Sequence, residues 1–244
     1  MEKIVEIGLE RLKGSKREPF DFTPDKKTND LLNDIENYPH VYVLGCLMDR
    51  QIKAEKAWAI PKIVFDLLNT YDINELEKIE IEEYQTLFVE KNLHRFNKDM
   101  AEVFYKAIQD INSKYNGDAS KIWQSEPSSA LAVYRFLEFK GCGIKIATMA
   151  TNLLARIFKI KFSDYYSIDI SPDVHIKRVL ARMGYVPHDP SSEMVIYKAR
   201  ELNPEYPGII DLSCWEIGKN WCKPTSPDCS NCIINNYCKR IIQT

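Results

Sequence analysis

The sequence predicts a nearly all-α protein, and three observations lead to that prediction. Apolar residues recur every three to four positions over most of the chain, which is the spacing of a buried helix face. Few segments show the strict apolar and polar alternation of a half-buried strand. The 244 residues, of which 45% are apolar and 28% charged, have the composition of a globular protein that can bury a sizeable core.

The predicted helices follow one another along the chain. Residues 1–37 are charged and patchily helical, and the polar run from Asp25 to Asp30 is expected to be a loop. The segment from Tyr42 to Tyr71 predicts helices, with Pro61 suggesting the start of a second one. The same apolar spacing continues over three further segments, Ile79 to Glu90, Asp99 to Tyr115 and Ser128 to Phe139.

Charge and hydropathy limit the classes of function. The net charge of −2 lacks the basic excess of most nucleic-acid-binding proteins, but it hides a difference of +4 for residues 140–244 against −6 for residues 1–139. The longest apolar run, Val41 to Met48, is far shorter than the roughly 20 residues of a membrane span. The charged N-terminus does not resemble a signal peptide, so we expect a cytoplasmic protein without a membrane partner.

Four of the seven cysteines lie close together near the C-terminus. Cys222, Cys229, Cys232 and Cys238 follow the pattern C-x6-C-x2-C-x5-C. Four thiols within one short loop of a cytoplasmic protein indicate metal-bound thiolates rather than disulfides. The compact spacing favours an iron–sulfur cluster, whereas zinc sites usually place two cysteine pairs a dozen or more residues apart. Zinc and metal-free thiols are the alternatives.

A glycine-rich connection between two apolar helices is a second candidate site. The segment Lys140-Gly141-Cys142-Gly143-Ile144-Lys145 separates the helix that ends near Phe139 from one that begins near Ile144. The G-x-G spacing permits a tight turn and leaves backbone N–H groups free at a helix N-terminus, where a phosphate can bind. Such a turn is often only structural.

The segment from Ser171 to Val179 predicts another helix start, with Pro172 in the first turn. Asp173 is a candidate N-cap of this helix, and the same position would hold its carboxylate in a fixed place. An aspartate held at a helix N-terminus can therefore serve both folding and chemistry.

Taken in this order, the glycine hairpin, the segment from Asp173 to Val179 and the cysteine loop resemble the endonuclease III branch of the helix-hairpin-helix DNA glycosylases. The resemblance runs from about Tyr42 to Arg240. It implies a two-lobed all-α fold, with a helical barrel over residues 38–155. The second lobe would combine residues 1–37 and 156–244, and it would carry a [4Fe-4S] cluster on the four-cysteine loop 222–238.

The resemblance also implies a mechanism. The family's nucleophile matches Lys145, whose neutral amine would attack C1′ of a flipped-out damaged nucleotide, and a helix N-terminus with partial burial would favour that neutral form. Asp173 matches the family's aspartate, which stabilises positive charge on the sugar. A lysine at this position predicts a bifunctional glycosylase and AP lyase. The histidine that follows, His175, looks structural.

Five further residues are expected to contact double-stranded DNA, namely Lys140, Gly141, Gly143, Met48 and Gln51. The first three would bind the phosphate backbone. Met48 aligns with the family's gap-filling position, where relatives commonly have glutamine, although a helical methionine is more often a core residue. Gln51 follows in the same segment. The connection of 28 positions between Lys145 and Asp173 is longer than in the family.

The expected substrate is an oxidised pyrimidine, removed by a monomeric enzyme. The same fold acting on 8-oxoguanine, uracil or mismatched thymine is the nearest alternative. A catalytically idle iron–sulfur protein that binds damaged DNA, or an electron-transfer protein, would belong to another class.

Overall fold

The computed structural model describes residues 2–14 and 16–242, which form helices and connecting loops without a β-strand. The all-α prediction is therefore confirmed. Met1, Gln243 and Thr244, the ends of the predicted second lobe, and Ser15 lie outside the described residues. The α-helices are α1 Lys3–Lys13, α2 Lys26–Asn33, α3 Pro39–Met48, α4 Ala54–Leu68, α5 Ile73–Glu77, α6 Ile81–Glu90, α7 Asn97–Tyr115, α8 Ser129–Leu137, α9 Ile144–Arg156, α10 Val174–Met183, α11 Ser192–Leu202 and α12 Asp211–Asn220. Short 3₁₀ helices span Ala119–Ile122, Pro207–Ile210 and Asn235–Tyr237.

Helix α3 is the centre of the larger group of helices. All ten of its residues are buried, and it packs against α2, α4, α7 and α9. Pro39 starts the helix at a position where its missing N–H costs nothing. The buried hydroxyl of Tyr42 donates to the carbonyl of Ala150 at 2.7 Å and so joins α3 to α9. The core thereby fixes the position of α9, which is the second helix of the glycine hairpin.

Helices α5 to α8 surround this core, and Phe104 of α7 packs there against Phe65, Tyr84 and Phe88. Pro61 does not start a helix as predicted, but lies buried inside α4. The helix continues through it because the burial of its apolar face outweighs the backbone hydrogen bond that proline lacks.

A smaller group combines both ends of the chain. Helix α10 packs against α12, and α1 packs against α12 and the 3₁₀ helix Pro207–Ile210. Helix α2 instead packs against α3 and α4, although residues 1–37 were all expected in the second lobe. It forms where a loop was predicted because Asp25 caps it, accepting from the Thr28 N–H at 2.8 Å. The exact division into two lobes stays a prediction.

Within residues 2–14 and 16–242, no helix has the length and apolar character needed to cross a membrane.

Candidate active site

A cleft of about 290 Å³ lies where the two groups of helices meet. Lys145 from the first turn of α9 and Asp173 from the start of α10 both line it, together with the segment from Phe20 to Pro24 and residues of α4 and α12. The structure thus brings together the two residues that were predicted to be catalytic, although 28 positions separate them in the sequence.

Lys145 stands two residues after Gly143, the N-cap of α9. Its side chain is exposed, so the partial burial expected from the sequence is absent in the free protein. Among the described residues, no carboxylate lies within 4.0 Å of its ammonium group. The side chain is therefore available to a ligand in the cleft.

Asp173 is held in place by one hydrogen bond of its side chain and one of its backbone N–H. It is the N-cap of α10, where Oδ1 accepts from the Ile176 N–H at 2.8 Å, while its own N–H donates to the Ser171 carbonyl at 2.7 Å. Both the capping role and the cleft position that the sequence suggested occur together. A negative charge at a helix N-terminus is favourable, so α10 supports a carboxylate at this position.

Four further carboxylates line the cleft, and none of them was predicted from the sequence: Asp21, Asp49, Glu55 and Asp211. Asp49 follows directly after α3, and burial raises the pKa of its carboxyl group, with Asp173 acting in the same direction and Lys145 against it. Asp211 begins α12 and accepts from the Ser171 N–H at 2.6 Å, and burial raises its pKa to about 6. Asp49 lies between Met48 and Gln51, two residues with predicted roles, but no local motif marks Asp211.

The cleft also has aromatic walls. Phe22 and Trp58 are buried side by side, with ring centroids 4.6 Å apart. Trp215 of α12 also lines the cleft. The Lys219 ammonium sits 4.8 Å from the Trp215 ring centroid and 3.5 Å from a carboxylate oxygen of Glu55. Flat apolar walls with a few polar groups are the usual lining of a small-molecule site, and their shape can accept a planar ring.

The two glycines of the hairpin differ in what they require. Gly141 has a φ of +78°, a left-handed conformation, and a Cβ there would lie 3.0 Å from Val103. Gly143 has a φ of −93°, and no heavy atom lies within 4 Å of the place where its Cβ would be. The fold itself therefore demands glycine at 141 but leaves open space at 143. Lys140 is exposed and pairs with Glu102.

The structure corrects the prediction that Met48 contacts DNA. Met48 is the last residue of α3, its side chain is 0% exposed, and its carbonyl lies 3.2 Å from Nε2 of His94. Methionine faces the core there because every residue of α3 does. Gln51, by contrast, is exposed in the loop between α3 and α4 and has a φ of 56°. Of the two predicted residues, Gln51 is the exposed one and Met48 the buried one.

The four cysteines predicted as metal ligands line one cavity between α10, α12 and the C-terminal loop. Within the described chain, no three of its His, Cys, Asp or Glu side chains converge in the arrangement that holds a single ion. The remaining cysteines, Cys46, Cys142 and Cys214, are buried elsewhere.

Helix α10 connects the cysteine loop to the cleft. Arg178 donates to the carbonyls of Cys222 and Gly218, and Arg182 donates to the carbonyls of Lys223 and Pro224 and reaches the Cys222 sulfur at 3.4 Å. Asp173 caps the other end of the same helix. The predicted structural role of His175 agrees with its surroundings, since it contacts Arg178 at 3.0 Å and packs on Gly218.

Met149, Leu153 and Ser171 of the long connection between Lys145 and Asp173 line the cleft, whereas its residues 164–167 lie outside the lining. Ser129, at the start of α8, accepts from the Ser167 N–H at 3.0 Å and pairs with Asp164. Residues 164–167 therefore support α8.

Solved structures share the fold of this chain. A trapped covalent endonuclease III–DNA intermediate has a TM-score of 0.60 at 17% identity and covers 87% of this chain and 92% of its own. A thermostable thymine-DNA glycosylase has a TM-score of 0.60 at 14% identity, with 97% and 94% coverage. These likenesses show the fold.

Sequence comparison points to particular relatives. Endonuclease III of Thermotoga maritima is 23% identical over 207 residues, which are 85% of this chain and 85% of the relative. Human adenine DNA glycosylase is 33% identical over 72 residues, which are 28% of this chain and 13% of that protein. No protein-family model matches the chain. The predicted resemblance to the endonuclease III branch is confirmed.

Proposed function

We propose that this protein is a base-excision DNA glycosylase with AP lyase activity, acting as a monomer on damaged double-stranded DNA in the cytoplasm. The observation that carries the proposal is the meeting of Lys145 and Asp173 in one cleft, at helix starts that the core and a capping bond fix. Endonuclease III as a relative over most of the chain supports the glycosylase class.

In this proposal the damaged nucleotide leaves the duplex and enters the cleft, because its C1′ atom cannot be reached inside the base stack. The neutral amine of Lys145 attacks C1′ and the base departs, after which the adduct becomes a Schiff base. β-Elimination from the Schiff base then breaks the strand. Asp173, held by the Ile176 N–H, stabilises the positive charge that develops on the sugar.

The hairpin supplies the contacts to the DNA backbone. Gly143 is exposed and has free space around it, so its N–H and those that follow at the start of α9 can approach a phosphate. Lys140 adds a positive charge once it exchanges Glu102 for a phosphate. Gln51 would occupy the gap that the flipped nucleotide leaves, since it is exposed in the loop next to Asp49.

The substrate class we propose is an oxidised pyrimidine, on the strength of the resemblance to endonuclease III. The aromatic side chains of the cleft can stack on a flipped base of any kind. The alternatives therefore remain 8-oxoguanine, uracil and mismatched thymine, and each is part of the test below.

The four thiols of the cysteine loop are the donor set that a [4Fe-4S] cluster requires. Four thiols line one cavity, and the Arg182 guanidinium and the Arg240 N–H lie 3.4 Å from two of the sulfurs, Cys222 and Cys238. Hydrogen bonds to sulfur of this kind accompany thiolate-bound clusters. When bound, the cluster would cross-link the loop through Cys222, Cys229, Cys232 and Cys238. No step of the excision passes through it.

The test is cleavage of duplexes that each carry one lesion, with and without borohydride. The panel holds thymine glycol, dihydrouracil, 8-oxoguanine, uracil, mismatched thymine and an abasic site. We expect cleavage at an oxidised pyrimidine and a reduced covalent adduct at the abasic site, because borohydride traps a Schiff base. Lys145→Ala should lose both, whereas Lys161→Ala, which removes an exposed lysine outside the cleft, should lose neither.

Three other outcomes would change the proposal. Cleavage of a different lesion with trapping retained would keep the lysine mechanism and replace the substrate. Base removal without trapping would indicate a monofunctional glycosylase. Binding of damaged duplexes with no cleavage and no adduct would indicate the catalytically idle protein.

A further inference from the structure

Asp49 lines the cleft and has a backbone that is held in place. It is the first residue after α3, whose ten residues are all buried. Its N–H donates to the Cys46 carbonyl at 3.2 Å, and the next N–H, of Arg50, donates to the Met48 carbonyl at 2.8 Å. The backbone that carries this carboxylate is therefore an extension of the most buried helix in the described chain.

Charged groups from several other elements line the same cleft as Asp49. They include Lys145 of α9, Asp173 at the start of α10 and Asp211 of α12, and Glu55, Asp21 and Lys219 lie along the same lining. Within residues 2–14 and 16–242, no donor forms a hydrogen bond or ion pair with the Asp49 carboxylate. Burial and the charge of Asp173 raise its pKa, and Lys145 only partly offsets them.

The other two central carboxylates are already engaged. An oxygen of Asp173 accepts from the Ile176 N–H, and an oxygen of Asp211 accepts from the Ser171 N–H. Asp49 has a half-buried carboxyl group that accepts no hydrogen bond from the described residues, and burial favours the protonated form of such a group. Different environments for neighbouring carboxyl groups are how active sites separate the acid from the charged stabiliser.

We propose that Asp49 is a catalytic residue, the general acid that protonates the departing base while Asp173 faces the charge on the sugar. The inference rests on the proposed glycosylase function and adds to it the source of the leaving-group proton. It concerns neutral damaged bases, which leave with an electron pair and need a proton to become stable products.

The amine nitrogen of Lys145 forms a bond to C1′ while the bond from C1′ to the base nitrogen breaks, and its electron pair stays on the base. The carboxyl proton of Asp49 moves to the base, which leaves as a neutral molecule, and Asp49 becomes a carboxylate. The Lys145 adduct is then a secondary ammonium, and its transfer of one proton to Asp49 restores the acid.

The test uses Asp49→Asn, which keeps the shape of the side chain and removes the acid. Two reactions are measured under single-turnover conditions, excision from the lesion that the wild type cleaves and borohydride trapping at a preformed abasic site. Only the first reaction has a departing base. Asp189→Asn is the matched control, because Asp189 is exposed and does not line the cleft.

We expect Asp49→Asn to slow excision by about 10²- to 10⁴-fold, the usual contribution of a positioned acid, and to leave trapping at the abasic site unchanged. Wild-type excision should fall as the pH rises through the pKa of Asp49, since the acid form is lost. Asp49→Glu, which still carries an acid, should recover part of the excision rate. The wild-type pH profile is independent of whether the variants fold.

Three results would overturn the inference. The first is excision by folded Asp49→Asn at the wild-type rate. The second is an equal loss of excision and trapping, which would assign Asp49 to DNA binding or to the placement of Lys145. The third is a wild-type protein that neither excises nor traps, in which case the proposed function fails as well and the Lys145→Ala comparison shows no difference.

Discussion

The two glycines of the hairpin allow the fold and the DNA contact to be perturbed separately. Gly141 combines a φ of +78° with a Cβ position 3.0 Å from Val103. Gly143 has ordinary extended backbone and open space around its Cβ position. Alanine at 141 should therefore damage the protein itself, whereas alanine at 143 should damage only an interaction with something outside it.

The magnitudes follow from the backbone. Alanine in the left-handed region costs about 1–2 kcal/mol, and Val103 must shift by a few tenths of an ångström besides. Gly143→Ala loses some N-cap preference but restricts the unfolded chain, and these opposing effects of about 0.5–1 kcal/mol leave a small net change. A methyl group at 143 that displaces one phosphate from an N–H should weaken DNA binding by about 10- to 150-fold, since a hydrogen bond to a charged group is worth about 1.5–3 kcal/mol.

Urea unfolding gives the free energy of unfolding, and fluorescence anisotropy with an abasic-site duplex at fixed salt gives the dissociation constant. We expect Gly141→Ala to lower stability by about 1–2 kcal/mol and Gly143→Ala to keep stability while weakening binding. Wild-type affinity in Gly143→Ala would refute the argument that the open space at this residue receives a phosphate.

Three further predictions concern the cleft, the predicted gap-filling residues and the cysteine loop. Burial raises the pKa of Asp211 to about 6, so between about pH 4 and 6 the folded state holds a proton that the unfolded state releases. The free energy of unfolding should therefore fall by about 2–3 kcal/mol as the pH rises from about 4 to 6. Asp211→Asn should flatten this fall in urea unfolding, and an unchanged slope would contradict the assignment. Met48→Ala should lower the free energy of unfolding by about 2–5 kcal/mol, because Met48 is buried. Gln51→Ala should change that free energy by less than about 0.5 kcal/mol and should slow excision. The reverse pattern would assign the gap-filling position to Met48. Cys229→Ser should remove visible absorption and bound iron from the purified protein, and full iron content in that variant would exclude Cys229 as a ligand.

Much of the fold could be predicted because it depends on local patterns. Apolar spacing identified α4, α6, α7 and α8, and the hairpin and the start of α10 were located by residue types with a defined conformational role. Pro61 misled the prediction because the burial of α4 is a tertiary effect that a local rule does not include. A loop was predicted near Asp25 from the polar run, but the segment forms α2. A capping side chain and two leucines outweigh the polar run there.

The candidate site was less predictable than the fold. Lys145 and Asp173 carry motifs, but Asp49 and Asp211 acquire their significance only when α3, α9, α10 and α12 converge. Met48 and Gln51 were both predicted to contact DNA, but the end of α3 lies between them, so one side chain is in the core and the other in the loop. Convergence in space and helix ends are the two features that a single sequence defines least.

The central claim is that Lys145 is the nucleophile, and the most direct test is to identify the residue that borohydride links to an abasic-site duplex. Digestion of the adduct and peptide mass mapping give that residue without reference to the substrate. The account predicts a modified peptide that contains Lys145 and no adduct from Lys145→Ala. An adduct on Lys219, the second lysine along the cleft, or an undiminished yield from Lys145→Ala would contradict it.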